Sequence, residues 1–180
     1  TGRMWACQHS GVKPDIMTSA KGLGSGMPIG AIIAKKQIME HWKRGAHGNT
    51  FGGNPLSCAA AIATLDLVQS EYAANAAHVG EHFMGRLREM QRDYPCIGEV
   101  RGRGLMIGME LVENDAERTP ARALCDRLVT RGYHNGLLLL ACGVSTLRFM
   151  PPLSTTIAEV DEAIGLLRNS LDEALQGKGA

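Results

Sequence analysis

Lys21 is the residue whose setting most suggests chemistry. It follows the run Asp15-Ile-Met-Thr-Ser-Ala and opens a turn punctuated by Gly22, Gly24, Gly26 and Gly30. The run is β-competent, and the glycines let the backbone turn sharply and approach a ligand closely, so a primary amine stands at the mouth of a strand. A phosphate loop would place its lysine after the glycines and directly before Ser or Thr, and here the lysine comes first. A dinucleotide fingerprint would open a helix, whereas Gly22-Leu-Gly-Ser-Gly26 runs on to Pro28 and the β-like stretch Ile29 to Ala34. Catalysis by the amine is then set against the commoner situation, a solvated lysine beside a flexible loop. Thr50 lies just before Asn54-Pro55, a strong helix start, where free amides and partial positive charge suit a phosphate; an ordinary capped loop is the equal alternative. Arg148 sits in Thr146-Leu-Arg148-Phe-Met-Pro-Pro, an otherwise apolar strand, where an ion-paired structural arginine competes with a carboxylate-binding one.

These residues need elements to hold them. Ile29 to Ala34 reads as a buried strand, and Lys36 to Arg44 as a short helix closed by Gly45. Leu56 to Val68 is Ala-rich and apolar nearly all round, which predicts a helix buried between layers or subunits. From Tyr72 the pattern turns amphipathic: Tyr72, Ala76, Val79, Phe83, Leu87 and Met90 recur at helical spacing, with Glu81, Arg88 and Arg92 on another face. Ser70-Glu71 reads as a hinge. Strands Ile97 to Arg101 and Leu105 to Val112 flank a Gly102-Arg103-Gly104 turn, which makes Arg101 and Arg103 turn or surface charges. Thr119-Pro120 opens a helix ending at Gly132, and strands Leu137 to Ala141 and Thr146 to Met150 run up to Pro151-Pro152. The last helix carries a Thr156/Glu159 capping box and a buried stripe of Ile157, Val160, Ile164, Leu167 and Leu171; Gly177 to Ala180 reads as a frayed tail.

Three segments carry a resemblance. Gly11-Val-Lys-Pro-Asp-Ile-Met-Thr-Ser-Ala-Lys21-Gly-Leu-Gly-Ser-Gly-Met-Pro-Ile-Gly-Ala is similar to the lysine segment of the class III pyridoxal-phosphate aminotransferases, the group containing ornithine and 4-aminobutyrate aminotransferases. His47-Gly-Asn-Thr50-Phe-Gly-Gly-Asn-Pro-Leu-Ser-Cys-Ala-Ala-Ala, and Leu137 to Gly143 with Leu147-Arg148-Phe-Met-Pro-Pro-Leu153, match the same family in the same order. The resemblance implies an α/β fold of the fold type I pyridoxal-phosphate transferases: residues 1–70 would be the remnant of a large cofactor-binding domain, and residues 71–180 a small C-terminal α+β domain. It makes Lys21 the catalytic residue that joins the cofactor pyridoxal 5'-phosphate as a Schiff base. It makes Thr50 a contact to the phosphate bound by the other subunit of a homodimer, and Arg148 the fork that holds a substrate carboxylate. The reaction implied moves an amino group from an amino acid or ω-amino acid to a 2-oxo acid such as 2-oxoglutarate.

Leu137 to Gly143 looks most like 4-aminobutyrate aminotransferases, with acetylornithine, ornithine and diaminobutyrate aminotransferases and related aminomutases as alternatives. A non-catalytic dimerisation fragment is the alternative of a different class. Thr1-Gly-Arg-Met-Trp5 resembles the middle of the family's large domain, so the chain is expected to be the C-terminal part of a longer protein. The phosphate-gripping loop, the ring-stacking aromatic and the pyridinium-pairing aspartate would then lie upstream, and the 180 residues alone are expected to be inactive.

Composition sets outer bounds. With 44% hydrophobic and 21% charged residues the chain is core-forming rather than disordered, and a net charge of +1 with no basic block leaves no footprint for nucleic acid or a membrane surface. Five cysteines without a Cys-x-x-Cys pair argue against a disulfide framework or a zinc site and fit a reducing cytoplasm. No apolar run approaches the ~20 residues that span a bilayer.

Overall fold

The computed structural model describes residues 1–113 and 116–177; of the expected tail, 178–180 lie outside the described residues. The chain divides into two compact units, one of Arg3–Tyr72 and one of Thr1–Gly2 with Ala73–Ala180.

The first unit is thin. Strands β1 (Ile16–Ser19) and β2 (Ala31–Ala34) pair antiparallel, Ile16 opposite Ala34 and Ser19 opposite Ala31. The 3₁₀ turn Lys21–Gly24 lies in the connection between them. This ribbon has no second layer inside its unit, so Ile32 and Ile33, expected to be buried, are each nearly half exposed. The helix expected over Lys36 to Arg44 is a single turn, α1 (Lys36–Met39). Helix α2 (Pro55–Leu67) starts as its sequence dictates: the Asn54 side chain accepts from the Ser57 N–H at 2.9 Å and Pro55 occupies the first helical position. Within this unit its burial is slight. Only Ser57 and Ala61 are buried, while Leu56, Ile62 and Leu67 face outward. An apolar helix marks a face that wants covering, and nothing within Arg3–Tyr72 covers this one. A π-helical segment, Val68–Tyr72, follows and takes in Ser70 and Glu71.

The second unit holds the core. Helix α3 (Ala73–Asp93) buries Ala76, Val79, Phe83, Leu87 and Met90, the stripe its periodicity predicts. A four-stranded antiparallel sheet runs in the order β3 (Ile97–Arg103), β4 (Met106–Leu111), β6 (Thr146–Phe149), β5 (Leu140–Cys142). Val100, Met109 and Leu147 stand in register on one face and are buried; Arg101, Gly108, Arg148 and Leu140 form the neighbouring row on the other face. Phe83 of α3 meets Phe149 of β6 edge-on at 5.2 Å.

Helix α4 (Arg122–His134) starts later than Thr119-Pro120 predicts, with Ala121 at its N-cap making no side-chain bond, because Pro120 is bridged to Val112 beside the sheet. It also runs through Gly132 to end at Asn135, and Gly136 takes the left-handed conformation. Helix α5 (Ile157–Leu175) begins with the full capping box: Thr156 N–H donates to Glu159 at 2.8 Å and Glu159 N–H to the Thr156 hydroxyl at 3.3 Å. Val160, Ile164, Leu167 and Leu171 are buried as predicted, but Ile157, in the first turn, is exposed. No described helix is long and apolar enough to cross a membrane.

Candidate active site

Lys21 directly follows the segment β1 plus Ala20, and its backbone has φ 52°. Left-handed geometry is uncommon outside glycine, and in a residue with a long side chain it persists only where the surroundings impose it. Those surroundings are visible. Leu23 N–H donates to the Ala20 carbonyl, Ser25 N–H to Gly22 and Met27 N–H to Gly24, so successive turns wrap the segment. Gly24 is the buried point of the turn, and a Cβ there would lie 2.8 Å from the Ile29 methyl carbon Cγ2. Ser25, also left-handed at φ 47°, is hydrogen-bonded through its hydroxyl to Thr64 of α2 at 2.9 Å. Thr64 also donates to the Ala60 carbonyl, which fixes it on the helix. The Ser25–Thr64 tie anchors the lysine turn to α2, and sequence reasoning missed it because the partners lie in different segments.

The Lys21 side chain is exposed, and among the described residues it has no hydrogen-bond or ion-pair partner. A Cβ at Gly22 or Gly26 would meet nothing within 4 Å. Asp15, the nearest acid in sequence, is committed to Lys35. The hydrogen bond and charge of that lysine hold its carboxyl below the usual carboxylate range.

Thr50 lies exposed in the turn before α2. The helix end beneath it offers less to an anion than its sequence suggests. Pro55 has no N–H and the Ser57 amide is taken by Asn54, which leaves the Leu56 amide open among the first three. Beside this loop Gly30, Trp42, His47, Asn49 and Gly52 line a cleft of about 410 Å³ that includes neither Thr50 nor Lys21.

Arg148 lies in the other unit, on the sheet face away from the helices, half-buried and opposite Gly108 on one side and Leu140 on the other. The ion-paired alternative does not hold: among the described residues no carboxylate meets it, and its Nε is buried without a hydrogen-bond partner. It lines a cleft of about 240 Å³ with Phe83, Leu138, Leu140, Met150 and Pro151. A half-buried guanidinium left unpaired beside apolar side chains favours a planar anion that completes its bonds. Among the described residues no cluster of His, Cys, Asp and Glu suits a metal ion.

A family model described as aminotransferase class-III matches residues 1–171. The acetylornithine aminotransferase of Caldanaerobacter subterraneus subsp. tengcongensis is 42% identical over 174 residues, covering 96% of this chain and 42% of that protein. The 5-aminovalerate aminotransferase DavT of Pseudomonas aeruginosa is 36% identical over 176 residues, covering 96% of this chain and 41% of that protein. The crystal structure of an amine transaminase from an uncultivated Pseudomonas species, in its PLP-bound form, superposes with a TM-score of 0.86 at 33% identity, over 96% of this chain and 41% of that one. The chain thus spans about two fifths of the length of these relatives.

Proposed function

The chain belongs to the class III aminotransferase family, and on that premise we propose that it carries the lysine and part of the substrate site of a pyridoxal-phosphate-dependent transaminase. The observation that carries this reading is the free Lys21 amine on an imposed left-handed backbone at the exit of β1. When bound, the cofactor supplies an aldehyde for the amine and an electron sink for the charge left when a proton leaves carbon. Lys21 holds the cofactor and then, released, accepts and returns that proton. Arg148 orients the substrate by its carboxylate through two parallel hydrogen bonds. Thr50 donates its hydroxyl to the phosphate bound by a second copy of the protein, in a homodimer with a shared site. Residues 1–70 are then the remnant of the large domain and residues 71–180 the small one.

For the donor, the names of the relatives favour acetylornithine over the 4-aminobutyrate that Leu137 to Gly143 suggests, with 5-aminovalerate as a neighbouring ω-amino acid. We therefore place the donor among ω-amino compounds that carry a carboxylate, the acceptor among 2-oxo acids, and the reaction in the cytoplasm. Borohydride reduction of the cofactor-loaded holoenzyme followed by peptide mapping tests the central assignment. A phosphopyridoxyl group on Lys21, and loss of visible cofactor absorbance in Lys21→Ala, are expected. Label on Lys35 or Lys36 would overturn it.

A further inference from the structure

The outward face of the four-stranded sheet carries more charge than Arg148 alone. In the antiparallel pair of β3 and β4, Glu99 stands directly opposite Glu110, and like charges so placed repel. Arg101 sits between them: its Nη1 donates to Glu99 Oε2 at 2.8 Å and to Glu110 Oε2 at 3.3 Å. Arg118 adds a second cation, its Nη2 3.6 Å from the same Glu110 oxygen and its Nη1 donating to the Gly98 carbonyl at 3.2 Å. Arg118 holds a left-handed backbone at φ 51° while making these contacts.

Glu110 has another cation within reach. On the adjoining strand pair it stands opposite Thr146, and Arg148 lies two residues further along β6 on the same face, a diagonal neighbour. Diagonal positions across an antiparallel pair are ~7–8 Å apart at the backbone, close enough for long side chains to meet. Yet Arg148 has no carboxylate partner among the described residues. We propose that Arg101 and Arg118 are positioning residues that sequester Glu110, so that the Arg148 guanidinium stays open to the carboxylate of the substrate. The inference rests on the reading of Arg148 given above.

Removing the two guards leaves Glu110 free to bind Arg148 and compete with substrate. Calorimetric titration with glutarate, a dicarboxylate with no amine to react, reads this in the holoenzyme. Arg148→Met should abolish most of the affinity. Arg101→Met/Arg118→Met should weaken it roughly fivefold, the upper range for an exposed ion pair in competition, and adding Glu110→Gln to that double variant should restore it. In the half-reaction with a carboxylate donor, Arg101→Met/Arg118→Met should raise KM and leave kcat near wild type, whereas in the half-reaction with a donor lacking a carboxylate that double variant should show no change. Unchanged glutarate binding in Arg148→Met would overturn the reading of Arg148 and the inference with it. Weakened binding in Arg148→Met but not in Arg101→Met/Arg118→Met, or a loss that Glu110→Gln fails to restore, would overturn the sequestration alone and leave Arg148 in place.

Discussion

At the scale of single residues, the type of side chain was legible in sequence and its availability was not. A lysine among glycines and an arginine in an apolar strand are visible in the chain, but whether either is neutralised depends on neighbours brought in by folding. Lys35 is bound to Asp15, while Lys21 is free among the described residues. Partners alone do not single out Lys21 among the lysines of the first unit, since Lys13, Lys36 and Lys43 also lack one among the described residues; its left-handed backbone does. Partners do separate Arg148 from Arg101 and Arg168, since those two meet carboxylates. A fork that binds a planar anion cannot be replaced by a point charge, so Arg148→Lys should raise KM for carboxylate donors and leave the label on Lys21 intact. The loss expected is about 1.5–3 kcal/mol, the range for hydrogen bonds to charged groups. Steady-state kinetics across donors with and without a carboxylate checks it, and equal constants for mutant and wild type would remove Arg148 from the site.

At the scale of elements, local chemistry was readable wherever the interaction is local. Asn54-Pro55 and Thr156 with Glu159 set helix starts through bonds spanning three residues, and both appear where the sequence puts them. Burial was readable for α3 and α5, whose apolar stripes join the large apolar cluster of the second unit, whereas the apolar faces of α2 and β2 meet no layer within theirs. Glu159 offers a pH test. Hydrogen bonds from the Thr156 backbone and hydroxyl hold its pKa below the ordinary carboxylate value. A carboxyl depressed in the folded state contributes stability that is present above its unfolded value and is lost as pH falls through the folded one. The melting-temperature gap between wild type and Glu159→Gln should therefore be open at neutral pH and close below ~4; a gap that persists into acid would show that the charge plays no part.

Gly80 tests packing against propensity. In a helix interior alanine is better than glycine by ~1 kcal/mol. Yet a Cβ at Gly80 would fall 2.2 Å from both the carbonyl carbon and the oxygen of Gly104, where the β3–β4 turn meets α3. Backbone cannot swing aside as a side chain can, so the clash should win, and Gly80→Ala should destabilise the fold by roughly 1–3 kcal/mol. Urea unfolding measures it, and a stabilised variant would mean that the turn yields freely.

At the scale of the molecule, the two units differ in what holds them. Every member of the large apolar cluster, from Ala76 to Ala174, belongs to the second unit. In Arg3–Tyr72 only Gly24, Ser57 and Ala61 are buried, while Trp42, Phe51, Leu56 and Ile62 are exposed. Ordering a residue costs about 1–2 kcal/mol in backbone entropy, which apolar burial must offset. The second unit has the burial to do so and the first does not. Amide exchange of the 180-residue chain should therefore show lasting protection in α3, β3, β4 and α5, and rapid exchange in the ribbon that carries Lys21.

The functional consequence follows from the same asymmetry. On a unit without a core the left-handed turn of Lys21 rests on exposed turn hydrogen bonds and the Ser25–Thr64 tie, and an exposed amine joined to an aldehyde is open to hydrolysis by water. The isolated chain should accordingly bind pyridoxal phosphate weakly and transfer no amino group, although it contains the lysine. Titration with cofactor followed by absorbance, together with an amino-transfer assay, should give neither saturation in the micromolar range nor turnover. Saturable micromolar binding with turnover would show that the ribbon and α2 fold unaided and that Lys21 needs no covering surface to act.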